Sequence, residues 1–332
     1  MKKAAVVFNG GTISMKIDPK IHAAVPSLSG EEIMSMVTGI EEYANIESYN
    51  FSNVPSPHMT PEDMLSLSLY VKDLLKRNDI SGVVVTHGTD SLEETAYLLD
   101  LTINSEKPIV VTGSMKSSSE LGYDGPSNLS ASICTAVSEE AKNFGVLVCL
   151  NSELNCANEV VKANSMSLDA FRTPGFGPIG IVDNNEIFFY RNRVERQYID
   201  TNKIESRVDL IKCASGMDSS FIDFSVNRGA KGIVIEAMGR GNIPPLMVDG
   251  IKRALSKDVA VILVSRCFEG RALDTYGYHG GGKELKNMGV IFGDTLSGQK
   301  ARIKLMLALG KTNDLKYIKN IFEEGHYKND AK

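Results

Sequence analysis

In the first half of the chain, apolar residues come in short, nearly unbroken runs rich in Val, Ile and Leu: Ala4–Phe8, Gly82–Thr86, Pro108–Thr112 and Gly145–Leu150. Runs of this length without alternation predict strands buried on both faces, as in a parallel sheet. Helix start signals lie between them. Ser29-Gly30-Glu31-Glu32 reads as a capping box. Thr60-Pro61-Glu62-Asp63 puts Pro at a first helical position with acids in the first turn. Asp90-Ser91-Leu92-Glu93-Glu94 opens a third helix carrying Leu92, Thr95, Ala96, Leu98 and Leu99. Alternating strand and helix predicts an α/β fold whose main sheet is largely parallel and doubly wound, with helices on both faces. From Tyr190 to Asp209 the text turns polar and charged and loses apolar periodicity. This predicts a linker over 191–208 between a larger N-terminal domain, 1–190, and a smaller C-terminal α/β domain, 209–332. In the latter, strands at Val208–Cys213, Gly232–Glu236 and Val259–Val264 precede a final helix pair from Gly298 onward.

Polar residues concentrate where the strands end. The first run is followed by Asn9-Gly10-Gly11-Thr12, the second by His87-Gly88-Thr89-Asp90, the third by Gly113-Ser114-Met115-Lys116 and the fourth by Asn151-Ser152-Glu153. Ligands of open α/β sheets bind outside the carboxyl ends of strands. Glycines there let backbone N–H groups approach a ligand closely. Each feature also has a plainer reading. Gly10-Gly11 suits a tight turn, Asp90 suits a helix N-cap, and His87 suits local packing or hydrogen bonding. Taken together they predict a catalytic edge.

Composition narrows the function classes. The 332 residues carry 36 Lys and Arg against 41 Asp and Glu, a net charge of −5, with no basic run, which argues against a nucleic-acid partner. No apolar stretch approaches the roughly 18 residues of a membrane span. The apolar run after Met1-Lys2-Lys3 stops at Phe8, shorter than a secretory signal requires, so a cytoplasmic location is expected. Cys134, Cys149, Cys156, Cys213 and Cys267 include no C-x-x-C pair, which predicts reduced thiols rather than a disulfide framework or zinc site. Gly277 to Lys283 matches G-x-x-x-x-G-K, but Glu284 stands where a P-loop needs Ser or Thr. Nor does the first turn, Asn9-Gly10-Gly11-Thr12-Ile13-Ser14, carry the G-x-G-x-x-G of a dinucleotide site.

Gly10-Gly11-Thr12-Ile13-Ser14 and Thr86-His87-Gly88-Thr89-Asp90 resemble the two signatures of the bacterial-type L-asparaginase family. Ser91–Leu101, Gly113-Ser114-Met115, Asp124-Gly125-Pro126 with Asn128, Glu236–Asn242 and Gln299-Lys300-Ala301-Arg302 extend the resemblance over essentially the whole chain. The family hydrolyses side-chain amides through a threonine nucleophile, without metal or cofactor. Carried over, the resemblance implies Thr12 as primary nucleophile, with Thr89, Asp90 and Lys162 as a second constellation in which the lysine lowers the proton affinity of the Thr89 hydroxyl; which threonine attacks first stays open. Read without it, Lys162 is an ordinary solvated lysine. It also implies Ser56 at the substrate α-carboxylate and Asp90 at the α-ammonium. Backbone groups of Gly11, Gly88 and Thr89 would serve the oxyanion and carboxylate, and the Ser114 carbonyl the departing nitrogen.

Three positions depart from the family pattern. The lid between Thr12 and Ser29 has no tyrosine, with Ala23-Ala24 in its place. Pro57 and His58 follow Ser56 where a glutamine and an acid are common. Arg240 and Asp274–His279 replace residues usually lent by a neighbouring subunit. Tyr276 or Tyr278 is therefore a candidate to supply the missing phenol across an interface, the plainer alternative being a tyrosine packed there. The resemblance thus implies an L-asparagine amidohydrolase working as a homodimer or homotetramer with intersubunit sites on a small amino-acid amide. Alternatives are hydrolysis of L-glutamine, D-asparagine or an N-substituted asparagine, an ammonia-donating amidotransferase-like subunit, and a non-catalytic amino-acid sensor.

Overall fold

The computed structural model describes residues 1–193 and 196–323. They fall into two compact units, the first ending at Arg193. Positions 194 and 195 of the expected linker, and the expected second domain beyond 323, lie outside the described residues.

The first unit is built on an eight-stranded sheet. Its parallel part comprises β1 (Lys3–Gly10), β4 (Asn45–Val54), β5 (Gly82–Thr86), β6 (Ile109–Thr112) and β7 (Val146–Leu150). Three antiparallel strands, β8 (Glu153–Cys156), β11 (Gly180–Asp183) and β12 (Glu186–Phe189), complete it in the order β12-β11-β8-β7-β6-β5-β1-β4. Two small antiparallel pairs stand apart: the hairpin β2–β3 (Met15–Asp18, Ala23–Pro26) and the pair β9–β10 (Val161–Lys162, Phe171–Arg172).

Strands β5, β6 and β7 are buried along their whole length, because both faces are covered. Ala4, Val6, Phe8, Val84, Val110 and Leu147 pack with Ile33 of α1 (Gly30–Met34) and Leu129 and Ile133 of α4 (Gly125–Val137). The alternate residues, Ala5, Val7, Val83, Val85, Ile109 and Val111, are equally inaccessible, and α2 (Pro61–Leu75) and α3 (Leu92–Thr102) contact these strands. Both helix-start motifs close as reciprocal capping boxes, Ser29 with Glu32 and Thr60 with Asp63.

Two details at the sheet edge differ from the sequence pattern. The fourth run ends on the same edge as β6, where the Asn151 N–H donates to Asn128, but a strand follows it rather than a helix. Asn151 and Ser152 both adopt left-handed backbone, with φ of 53° and 61°, and turn the chain straight back into β8. Asp90 is not a helix cap: Ser91 holds the N-cap position of α3, and its hydroxyl donates to the Ser56 carbonyl at 2.8 Å.

The second unit carries a four-stranded parallel sheet in sequential order, β13 (Val208–Lys212), β14 (Gly232–Ala237), β15 (Ala260–Ser265) and β16 (Ile291–Phe292), with α5 (Ser220–Asn227), α6 (Val248–Ser256), α7 (Gly282–Met288), α8 (Gly298–Lys311) and α9 (Leu315–Glu323). Among the described residues no strand leads into the P-loop-like stretch before α7. Nor, among them, is any helix long and apolar enough to cross a membrane, and no three His, Cys, Asp or Glu side chains gather as a ligand set.

Asp100 on α3 and Arg193 form the most deeply buried ion pair of the first unit, with only 1% and 7% of their side chains exposed and a closest contact of 2.6 Å. Asp100 also accepts from the backbone N–H of Val146, while Arg193 donates to the Phe144 carbonyl. Removing Arg193 takes this cation away from the buried Asp100 carboxylate in a low-dielectric site. Arg193→Leu is therefore expected to destabilise the first unit by about 3–5 kcal/mol, read as a lowered urea midpoint.

Candidate active site

The site is assembled by backbone contact at the ends of β1, β5 and β6. Gly11 has φ 89°, and a Cβ added to it would stand 2.3 Å from the Gly88 nitrogen. A Cβ on Gly88 would meet Ser56 Cβ and Oγ at 2.7 Å, and one on Gly113 would meet the His87 carbonyl at 2.4 Å. No side chain fits at any of these points, so glycine is required for the turns to touch. The contacts draw Gly11, Ser56, Gly88, Thr89, Asp90 and the Gly113-Ser114 turn together.

The charged part comes from β9. Lys162 Nζ lies 2.9 Å from Thr89 Oγ1 and 2.6 Å from Asp90 Oδ1, donating to both. Thr89 is buried, whereas the Asp90 side chain is 63% exposed and Lys162 15%. The Lys162 ammonium thus sits between a buried hydroxyl and an open carboxylate. The backbone N–H of Lys162 donates to Glu93 Oε1 at 3.2 Å, which anchors β9 to the first turn of α3. Glu93 is buried yet reads as a polar-face residue in the helix pattern, because nearly all of α3 is enclosed and its periodicity carries no signal for it.

Ser56 Oγ accepts from the Asp90 N–H at 3.2 Å, and the buried Ser114 hydroxyl donates to the Lys116 carbonyl at 2.7 Å. Asp124 and Asn128 secure the Ser114 turn. The Asp124 carboxylate accepts from the N–H groups of Met115 and Lys116, and Asn128 Nδ2 donates to the Gly113 carbonyl, all at 3.0 Å. Thr12 opens a short 3₁₀ turn directly after Gly11. Its hydroxyl makes no hydrogen bond to the Thr89–Lys162 pair among the described residues. Tyr276 and Tyr278 lie in the second unit, 44% and 56% exposed, with ring centroids 5.7 Å apart.

His87 is fully buried beneath this floor. Its Nδ1 lies 2.8 Å from the Gly88 carbonyl, which only accepts, so Nδ1 carries the proton. Nε2, 2.9 Å from Thr95 Oγ1, is then the acceptor. Both nitrogens are occupied, and His87 is a strut for the Gly88-Thr89 turn rather than a base.

Residues 3–195 match the family model "Asparaginase, N-terminal", and residues 207–322 match "Glutaminase/Asparaginase C-terminal domain". The chain belongs to the asparaginase family. It is 36% identical over 308 residues to the L-asparaginase of Bacillus licheniformis, covering 93% of this chain and 95% of that protein. It is 31% identical over 339 residues to the glutaminase-asparaginase of Acinetobacter glutaminasificans, covering 96% of this chain and 98% of that protein. The crystal structure of a probable cytoplasmic L-asparaginase from Campylobacter jejuni matches with a TM-score of 0.87 and 33% identity, over 97% of this chain and 99% of that one. Within this asparaginase-family fold, the glycine contacts above are what hold the signature threonine turns face to face.

Burial depresses the His87 pKa to about 4, only partly offset by its bond to Gly88, against 6.5 for an exposed imidazole. The unfolded chain therefore binds this proton first. The stability that neutral His87 supports is complete above pH 6.5 and is lost as pH falls toward 4. Across that window the wild type is expected to lose about 3 kcal/mol more unfolding free energy than His87→Gln, compared by denaturant titration at successive pH values.

Proposed function

We propose that the chain hydrolyses L-asparagine to L-aspartate and ammonia through an acyl-enzyme formed on threonine. One observation carries the reading: the Lys162 ammonium bridges Thr89 and Asp90 on a floor to which the Thr12 turn is pressed. The similarity to named L-asparaginases supports the substrate. A threonine hydroxyl is a weak nucleophile at its free pKa and needs a neighbouring base or cation. An ammonium 2.9 Å from Thr89 Oγ1 favours the deprotonated form of that oxygen. The contact of the Lys162 ammonium with the Asp90 carboxylate holds the cation in place when the hydroxyl changes state.

In this scheme Thr12 Oγ1 attacks the side-chain amide carbon. The C–N bond breaks, and the nitrogen takes up the proton given up by the Thr12 hydroxyl and leaves as ammonia toward the Ser114 carbonyl. Water then cleaves the ester, restoring the threonine hydroxyl and releasing aspartate. Backbone N–H groups around Gly11 and Thr89 stabilise the oxyanion of each tetrahedral intermediate. Such donors act strongly because they are fixed in advance. Ser56 and the adjoining backbone receive the α-carboxylate. Asp90, open to solvent on its outer side, receives the α-ammonium.

If Lys162 tunes Thr89, then Lys162→Met and Thr89→Val are each expected to lower kcat for ammonia release from L-asparagine by about a hundred- to ten-thousandfold. Activity within a few-fold of wild type in Lys162→Met removes the reading. Running L-glutamine, D-asparagine and β-aspartyl amides in parallel separates the substrates: turnover of one of these without L-asparagine keeps the threonine chemistry and replaces the substrate.

The lid supplies no phenol, and Ala23 and Ala24 in its place are exposed. We assign that role to Tyr276 or Tyr278 of a second copy of the chain, in a dimer or tetramer whose sites are shared. Exposure of both rings supports this. Five free cysteines fit a cytoplasmic setting. Tyr276→Phe and Tyr278→Phe, made singly, are expected to differ sharply, one losing most of its kcat; full activity in both overturns the assignment.

A further inference from the structure

The nucleophile turn and the first lid strand present backbone groups of alternate residues to one neighbour, the segment 117–123. The Tyr123 hydroxyl donates to the Ile13 carbonyl at 2.6 Å. The Ser118 N–H and hydroxyl donate to the Met15 carbonyl at 3.2 and 2.9 Å, and Ser119 Oγ accepts from the Ile17 N–H at 3.0 Å. Met15 and Ile17 are two apart on β2, the period at which one edge of an extended chain shows its polar groups, and Ile13 stands in the 3₁₀ turn just before it. The opposite edge of β2 pairs with β3. Hydroxyls therefore complete the free edge where a further strand would lie.

The segment is itself held stiffly. The Glu120 carboxylate accepts from the Ser117 N–H and hydroxyl at 2.7 and 2.8 Å, and Lys116 Nζ donates to the Leu121 carbonyl. At one end, Asp124 and Asn128 fix it to the Ser114 turn. The Tyr123 side chain is largely enclosed, and a Cβ on Gly125 would stand 2.4 Å from its phenol oxygen, so the glycine makes room for the ring.

We propose that Tyr123 is a positioning residue for Thr12, and that residues 117–123 form a brace transmitting the placement of the Ser114 turn to the nucleophile turn and the lid. This rests on the threonine chemistry proposed above and extends it. The brace holds the backbone one residue beyond Thr12, so its loss shifts the attacking oxygen without removing any group that binds substrate. Small misplacements of a nucleophile cost rate rather than ground-state affinity.

The chain has no tryptophan, so Ala24→Trp, on the exposed lid strand, gives a background-free lid probe. In that variant and in the wild type, Tyr123→Phe is expected to lower kcat for L-asparagine about tenfold or more with KM nearly unchanged. It is also expected to lower the Trp anisotropy of the lid while the melting temperature stays within a few degrees. Ser119→Ala, which removes only the bond to Ile17, is expected to lower the anisotropy with a smaller loss of kcat. It serves in place of Tyr123→Phe if the latter fails to fold. Unchanged kcat and unchanged anisotropy overturn the proposal, as does a loss confined to KM. Absence of ammonia release from L-asparagine by the wild type would sink the proposed substrate alone, because the anisotropy comparison needs no turnover.

Discussion

The site depends on close steric contact at three glycines. Gly11 stands against Gly88, Gly88 against Ser56, and Gly113 against the His87 carbonyl, at separations where a Cβ would lie 2.3 to 2.7 Å from its neighbour. Parallel strands aim their carboxyl ends the same way, so β1, β5 and β6 all discharge into one region. Side chains at the turn positions would hold those ends apart. With glycine there, the turns that carry Thr12 and Thr89 come into direct contact. Packed interiors deform little, so these contacts are inherited by every later feature of the site.

Two basic side chains at this floor are kept in different states. His87 is sealed under the floor, where burial and two occupied nitrogens hold it neutral. It supplies shape. Lys162 stands at the surface of the same floor with Asp90 largely in solvent. An ion pair that open to water contributes little to folding stability. Its geometry therefore has to be understood through the oxygen it shares, Thr89 Oγ1. Glu93 anchoring the Lys162 backbone from within α3 points the same way, because it commits a buried carboxylate to the placement of β9.

Much of the fold was legible because β5, β6 and β7 are apolar on both faces and the capping motifs are local. The antiparallel end of the sheet was not. Strands β8, β11 and β12 are short, and β4 is a half-exposed edge strand whose Glu47, Tyr49, Asn50 and Asn53 mask its pairing with β1. The signature residues of the site were legible as glycine, hydroxyl and acid at strand ends. Lys162 emerged only from the family resemblance, since it is remote in sequence from Thr89 and Asp90. Glu93 and Tyr123 escaped altogether. Their roles exist only through contacts 69 and 110 positions away, and each sits in a local pattern that already explains it, a helix first turn and a loop before a helix.

The boundary between the floor and the lid falls just beyond Thr12, after the buried Ile13 and Ser14. Behind it, β1 is buried from Ala4 to Gly10; ahead of it, β2 and β3 are mostly exposed and bury almost nothing apolar. Elements that admit substrate and then enclose it must come from the weakly packed part of a structure, whereas a nucleophile must be held to a fraction of an ångström. One residue cannot belong fully to both. Here the conflict is met by polar contacts added to the buried Ile13 side chain, which packs in the core of the first unit. Ser14 Oγ reaches the Gly11 carbonyl and Asn53 on one side, and Tyr123 reaches Ile13 on the other. Hydrogen bonds are directional and individually weak, so they orient the turn without the rigidity of full core burial.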